Sequence, residues 1–183
     1  MLTLNFSAVP YLMTDRLILR TLGVPDLEAI HKLRSDHAVN VMVGRETPMQ
    51  LSQSREFIRK IEGLVENREC LYWVIAFKEE HSLIGTICCW SFDIENEIVE
   101  IGYEMLPEYR GMGLMKEAVK KVIDYTFQNL NAKLLTAFPS GVNSDSVGLL
   151  KALNFQLSDD FYNNKHTNVA DMVCYALKKD VMV

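Results

Sequence analysis

Two hydrophobic periods alternate along the chain. Between Asp15 and Gly23 (DRLILRTLG), β-branched and apolar residues run together and stop at a glycine, which predicts a strand. The next stretch, VPDLEAIHKLRSDHAV, has Pro25 at a helix start and acids in the first turn. Leu27, Ile30, Leu33 and Arg34 mark its helical face. TPMQLSQSREFIRKIEGLVEN predicts a second helix, with Phe57, Ile58, Ile61, Leu64 and Val65 on one side. The period then shortens. CLYWVIAFK (70–78) and SLIGTICCW (82–90) are strand candidates joined by EEH, a hairpin-length loop. EIVEIGYEML (97–106) alternates, with Val99, Ile101, Tyr103 and Met105 on one face and Glu100, Gly102 and Glu104 on the other. A helix over 113–129, a strand over 133–138 and a short helix over 143–153 follow. NFQLSDDFY and a last strand in VADMVCYALKK (169–179) close the pattern.

The order is β-αα-βββ-α-β-α-ββ, with no internal repeat, low-complexity tract or composition break. It predicts one mixed α/β domain over 1–183, with about seven strands and about four helices. The three strands joined by short loops argue an antiparallel meander. A net charge of −5 without a Lys/Arg cluster argues against nucleic acid as a partner. Cys70, Cys88, Cys89 and Cys174 form no CxxC pair and lie at no metal spacing from a His, so buried reduced thiols and no metal are expected. The first residues lack the basic start and apolar core of a signal peptide, and no apolar run nears the ~20 residues of a membrane span. A cytoplasmic protein without a membrane partner is expected.

The chemistry is concentrated in EYRGMGLMKEAVKK (108–121). Backbone amides at a helix start are unpaired, lie at the positive end of the dipole, and accept an anion most closely beside glycine. Arg110 adds a guanidinium suited to phosphate. A Walker loop would need GxxxxGK[ST], which is absent. A dinucleotide fingerprint would need a third Gly where Lys116 stands. The remaining phosphate motif is Arg/Gln-x-x-Gly-x-Gly/Ala, which Arg110, Gly111, Met112, Gly113 and Leu114 fit, with Met115 at the usual final Gly or Ala. A helix that merely starts at a glycine-rich turn is the plain alternative.

Four stretches in order resemble the GNAT superfamily of N-acetyltransferases, and within it the RimJ/RimL-like branch of ribosomal-protein N-terminal acetyltransferases. TDRLILR is similar to that branch's opening strand, and VEIGYEMLPEYRGMGLMKEAV to its fourth strand and pyrophosphate loop. NSDSVGLLKALNF is similar to its Asn-x-x-Ser helix, with Asn154 in the usual Gly position, and DMVCYALKK to its final strand. The resemblance covers nearly the whole chain. It implies the GNAT fold, a central, mixed, mostly antiparallel twisted sheet flanked by helices, with acetyl-CoA as donor and an amine as acceptor. In the family the fourth and fifth strands splay apart and the pantetheine arm lies between them. By that likeness the backbone of Met105 and Leu106 meets the arm, and amides from Gly111 to Met115 hold the pyrophosphate. Lys116 is either a further contact to a CoA phosphate or solvated; Asn143 contacts the arm or an ordered water, or simply caps its helix; and Ser146 belongs to the cofactor site near the thiol.

Amide formation from a thioester needs a proton acceptor for the amine, a donor to the carbonyl oxygen and, optionally, an acid for the thiolate. Glu100 is the first candidate acceptor, Glu104 the second, each acting through a water; either also reads as a surface Glu on a half-solvated strand. An amide near Met105 is the expected oxyanion donor, and Ser146 the nearest match to an acid. Leu150, at the position where many members carry a Tyr acid, has no proton to give.

The acceptor pocket is expected from the first two helices, their loop (36–50) and the loop near 160–168, with Glu46, Asp159 and Asp160 either attracting an amine or standing as solvated loop charges, Arg45 to bind a carboxylate and His166 at the mouth. Protein N-termini, polyamines or aminoglycosides, and amino acids or other small amines all stay open as acceptors. Met115, Leu150 and Asn154 support a rival, a catalytically degenerate acyl-CoA sensor or scaffold. A nucleotide enzyme using the glycine turn is a further rival. The apolar C-terminus, DVMV, is compatible with a homodimer through the final strands or the loop after residue 155.

Overall fold

The protein is described by a computed structural model over residues 1–45, 50–162 and 171–179. Its strands are β1 (Leu12–Met13), β2 (Leu17–Thr21), β3 (Cys70–Phe77), β4 (Leu83–Asp93), β5 (Ile98–Met105), β6 (Leu134–Ala137), β7 (Gln156–Ser158) and β8 (Cys174–Lys178). Its helices are α1 (Leu27–Ser35), α2 (His37–Met42), α3 (Leu51–Glu66), α4 (Leu114–Gln128) and α5 (Ser144–Ala152). They form one eight-stranded sheet in the order β1-β2-β3-β4-β5-β6-β8-β7. Every neighbouring pair is antiparallel except β5–β6.

The mixed, mostly antiparallel sheet is the expected one, with an eighth strand because Leu12–Met13 pairs back on β2 as a two-residue edge. The single helix expected after Gly23 is two. Asp36 adopts an extended backbone and its carboxylate accepts the Val39 N–H, capping α2 afresh. The last strand begins at Cys174 rather than 169, and residues 163–170 lie outside the described segment.

Alternation along each strand sorts the core into two layers. Trp73 of β3 packs edge-on against Tyr125 of α4 with ring centres 5.8 Å apart, while its neighbour Tyr72 meets Phe57 of α3 on the opposite face at 5.7 Å. On β5, Tyr103 reaches Ser146 of α5, and Glu104, on the opposite face, meets Arg34 of α1. The β5–β6 pairing has only three rungs, Ile98–Leu134, Val99–Leu135 and Glu100–Thr136. Beyond Glu100, β5 runs on to Met105 without β6, and the sheet splits.

Candidate active site

The split opens a cavity of about 750 Å³, walled by α2, the start of α4 and α5. Local backbone chemistry builds the α4 end. Gly111 and Gly113 have φ of +74° and +73°, the left-handed region where L side chains are strained. Gly113 is the N-cap of α4, and the first intrahelical bond runs from the Glu117 N–H to its carbonyl at 3.1 Å. The amides of Leu114, Met115 and Lys116 therefore have no partner within the helix. All three residues line the cavity, as do Arg110, Gly111 and Gly113, whereas Met112 points outward, 53 % exposed. Met115 occupies an ordinary helical position, so its Cβ is no obstacle to the turn.

Two arginines hold this turn. Arg110 donates from Nε to the Met105 carbonyl at 3.1 Å, tying the turn to the end of β5. Arg16, just before β2, donates from Nη1 to the Met112 carbonyl at 3.1 Å and from Nε to Glu117 Oε2 at 2.7 Å. Its backbone N–H and Thr14 Oγ1 both donate to Glu117 Oε1. Burial raises the Glu117 carboxyl, but these hydrogen bonds and the Arg16 charge outweigh it and hold the group below its usual 4.5. Arg16 belongs to the TDRLILR stretch, where nothing local reveals its reach of about 100 residues.

The Leu106 assignment is corrected. Its N–H donates to the Ile84 carbonyl at 3.0 Å and its carbonyl accepts the Tyr109 N–H, so this amide is spent on β4 rather than facing the split. By strand alternation, the amide and carbonyl of Met105 face the split, where its carbonyl already accepts from Arg110.

The carboxylates are not surface residues. Glu100 is 4 % exposed, lines the cavity and stands on the last rung before the sheet opens. Glu104 is buried between two guanidiniums. Arg34 Nη1 lies 3.1 Å from Oε1 and Arg45 Nη2 lies 2.8 Å from Oε2. Arg34 also stacks on Phe57 at 3.9 Å, and Arg45 reaches Asn40 Oδ1 and the Arg34 carbonyl. Arg45, expected to receive a substrate carboxylate, is thus already committed. Both oxygens of Glu104 are engaged, which makes it a structural anchor and a poor base.

Across the split, Asn143 Oδ1 caps α5 by accepting the Ser146 N–H at 3.1 Å, and its Nδ2 donates to the Met42 carbonyl of α2 at 3.1 Å. The capping alternative holds, and the amide also ties α5 to α2. The Tyr103 hydroxyl lies 2.9 Å from Ser146 Oγ, with both residues on the cavity wall. Burial pushes the Tyr103 phenol up to about 12, with the Ser146 hydrogen bond pulling the other way. Tyr103 read in the sequence as part of an apolar stripe, which its position satisfies and its hydroxyl exceeds.

Leu150 is fully buried. Asn154 has φ +66° at the end of α5, where Phe155 N–H bonds back to the Leu150 carbonyl. Asn is the best substitute for Gly in that left-handed stop. Asp159 and Asp160 are exposed and stand outside the cavity wall, while Asp145 and Asp171, unremarked in the sequence, line it. Glu46 and His166 lie outside the described residues. Among the described residues no cluster of His, Cys, Asp or Glu could hold a metal, and no helix is long and apolar enough to cross a membrane.

The chain matches the family model described as "Acetyltransferase (GNAT) domain" over residues 16–156. It is 34% identical over 145 residues to the uncharacterized N-acetyltransferase p20 of Bacillus licheniformis, covering 79% of this chain and 82% of that protein. Among solved structures it resembles a GNAT-family acetyltransferase from Bacillus anthracis, with TM-score 0.79, 21% identity and coverage of 93% of this chain and 99% of that one. It also resembles the spermidine N-acetyltransferase of Vibrio cholerae solved with CoA and spermine, with TM-score 0.75, 20% identity and coverage of 90% and 96%. A match spanning most of the chain, on a sheet that splits beside a glycine-capped helix, makes this protein a member of the GNAT family of acetyltransferases.

Proposed function

We propose that this protein transfers the acetyl group of acetyl-CoA directly to a primary amine, a protein N-terminus or a small amine, within a ternary complex in the cytoplasm. The observation that carries the reading is the polarity of this cavity's wall. At one end are the unpaired first-turn amides of α4 with Arg110 and Lys116, and at the other the buried Glu100. Pyrophosphate suits the first end, since helix dipole, amides and guanidinium all favour a compact anion there. An amine suits the second.

In this reading Glu100 takes the amine proton through a water. The Met105 amide, on the split side of β5, meets the charge that develops on the carbonyl oxygen. Ser146 faces the departing sulfur. Acetyl-CoA supplies the activated acyl group; the chain supplies orientation and proton acceptance.

The degenerate-sensor alternative loses two of its three supports. Met115 occupies an unstrained helical position, and Asn154 performs the left-handed turn that Gly would.

The test is calorimetric titration with acetyl-CoA, CoA, NAD and ATP, followed by thiol release with an amine panel. Micromolar binding of the first two alone, with amine-dependent release, supports the reading. NAD or ATP binding, or CoA binding without release to any amine or to water, rejects it.

A further inference from the structure

Tyr103 occupies a position its strand neighbours do not explain. Val99, Ile101 and Met105 share its face of β5 and are buried in the apolar core. Tyr103 stands where β6 has already parted, and its ring crosses the split to bring a hydroxyl to Ser146 of α5. Ser146 is itself fixed, because its backbone N–H is held by Asn143 Oδ1 and Asn143 is tied to α2. The pair is therefore two hydroxyls at 2.9 Å on the wall of the cavity, each anchored on a different side of the opening.

A serine hydroxyl has one proton and rotates freely, so by itself it does not aim that proton. A neighbouring phenol that keeps its proton removes the ambiguity. Burial holds Tyr103 neutral at physiological pH, so it is a standing donor. When Tyr103 donates into a lone pair of Ser146 Oγ, the serine's own proton is left to point elsewhere, into the cavity. Leu150, one turn further along α5, has no competing proton.

Building on the acetyltransferase reading, we infer that Tyr103 is a positioning residue which, through Ser146, directs a proton to the thiolate as CoA departs. The amine nitrogen forms its bond to the acyl carbon and the carbon–sulfur bond breaks. The sulfur takes the Ser146 proton, Ser146 Oγ takes the Tyr103 proton, and the phenolate recovers one from water when product leaves. The proton that the amine lost to Glu100 returns to solvent, so the cycle closes without a further reactant.

The experiment is a double-mutant cycle on Tyr103→Phe, Ser146→Ala and the pair. Thiol release from acetyl-CoA is read with water, spermidine and an alanine-led peptide as acceptors, and acetyl-CoA affinity is read by calorimetry. Tyr103→Phe is expected to lower turnover about tenfold and Ser146→Ala at least as much. The double variant should match Ser146→Ala within about twofold, because Tyr103 acts only through that serine. Acetyl-CoA affinity stays within about twofold throughout, which also shows that the variants are folded. Losses that multiply in the double variant assign Tyr103 a separate role and overturn the inference, as does a Tyr103→Phe variant at the wild-type rate. Tighter acetyl-CoA binding by Tyr103→Phe would make the pair a latch across the split and overturns it too. A wild type that releases no thiol with any acceptor overturns the acetyltransferase reading, and the relay with it. An active wild type with multiplied losses overturns the relay alone.

Discussion

Gly113 decides whether α4 can present its first amides at all. At φ +73° a Cβ is strained by about 1–2 kcal/mol, although the space is open, with Arg16 Nη2 at 3.7 Å as the nearest atom. Gly113→Ala is therefore expected to lower the melting temperature by a few degrees and weaken acetyl-CoA by about tenfold as the turn relaxes. Gly113→Asp, which also sets a carboxylate against phosphate, should abolish binding; normal acetyl-CoA affinity in that variant removes the turn as the phosphate site. Glu100→Gln belongs to the other end of the cavity. It should cut kcat sharply at neutral pH and leave acetyl-CoA affinity unchanged, and an undiminished kcat takes Glu100 out of the mechanism. The buried thiols bear on how such rates are read. Burial pushes Cys70, Cys89 and Cys174 up to about 12 and Cys88 up as well, so they stay neutral and unreactive at assay pH. Ellman's reagent should count four thiols in denatured protein and almost none in native protein. The glycine turn was legible in the chain because its chemistry is local, with five consecutive residues specifying turn, cap and charge. Tyr103 was not, because its hydroxyl acquires meaning only from a serine 43 residues away.

At the scale of elements, periodicity located almost every helix and strand; the exceptions are the two-residue edge strand β1, too short to show a period, and the break between α1 and α2. Asp36 ends one helix and caps the next, which no count of apolar positions can reveal. The join between β2 and α4 is likewise invisible in sequence, since Arg16 and Glu117 are separated by the whole first half of the chain. That join gives a pH dependence with a definite sign. The Glu117 carboxyl is held below 4.5, the value it regains when unfolded. Its contribution is complete above that value and is lost as pH falls through the lower, folded value. Glu117→Gln should therefore melt earlier and bind acetyl-CoA more weakly than wild type at neutral pH, and the difference should shrink as pH falls below 4.5 through the lower folded value. Thermal melts of both proteins across pH 3–7 measure it, with the difference shrinking as pH falls below 4.5, and a difference that does not change with pH would rule out the carboxylate as its source.

The molecule as a whole hangs α2 between the two sides of the split. Glu104 anchors one side, drawing Arg34 from α1 and Arg45 from beyond α2 onto β5, and the Asn143–Met42 bond ties α2 to α5 on the other. Sequence alternation put Glu104 and Glu100 on one face and so made both candidate bases. It could not separate them, because the arginines that differentiate the two arrive from 59 and 70 residues away. The ion pairs on Glu104 favour Glu100 as the base of the proposed reaction, and one variant checks that division. Glu104→Gln leaves two mostly buried guanidiniums short of a partner charge and should cost about 3 kcal/mol of stability. For a chain of this length that is roughly 6–12 °C in melting temperature. Below that melting point the folded fraction should still release thiol at a rate within a few fold of wild type, since in the proposed reaction Glu104 carries no proton. The opposite pattern, an unchanged melt with turnover lost, would move the base from Glu100 to Glu104 and make Arg34 and Arg45 part of the catalytic machinery rather than the frame that holds its wall.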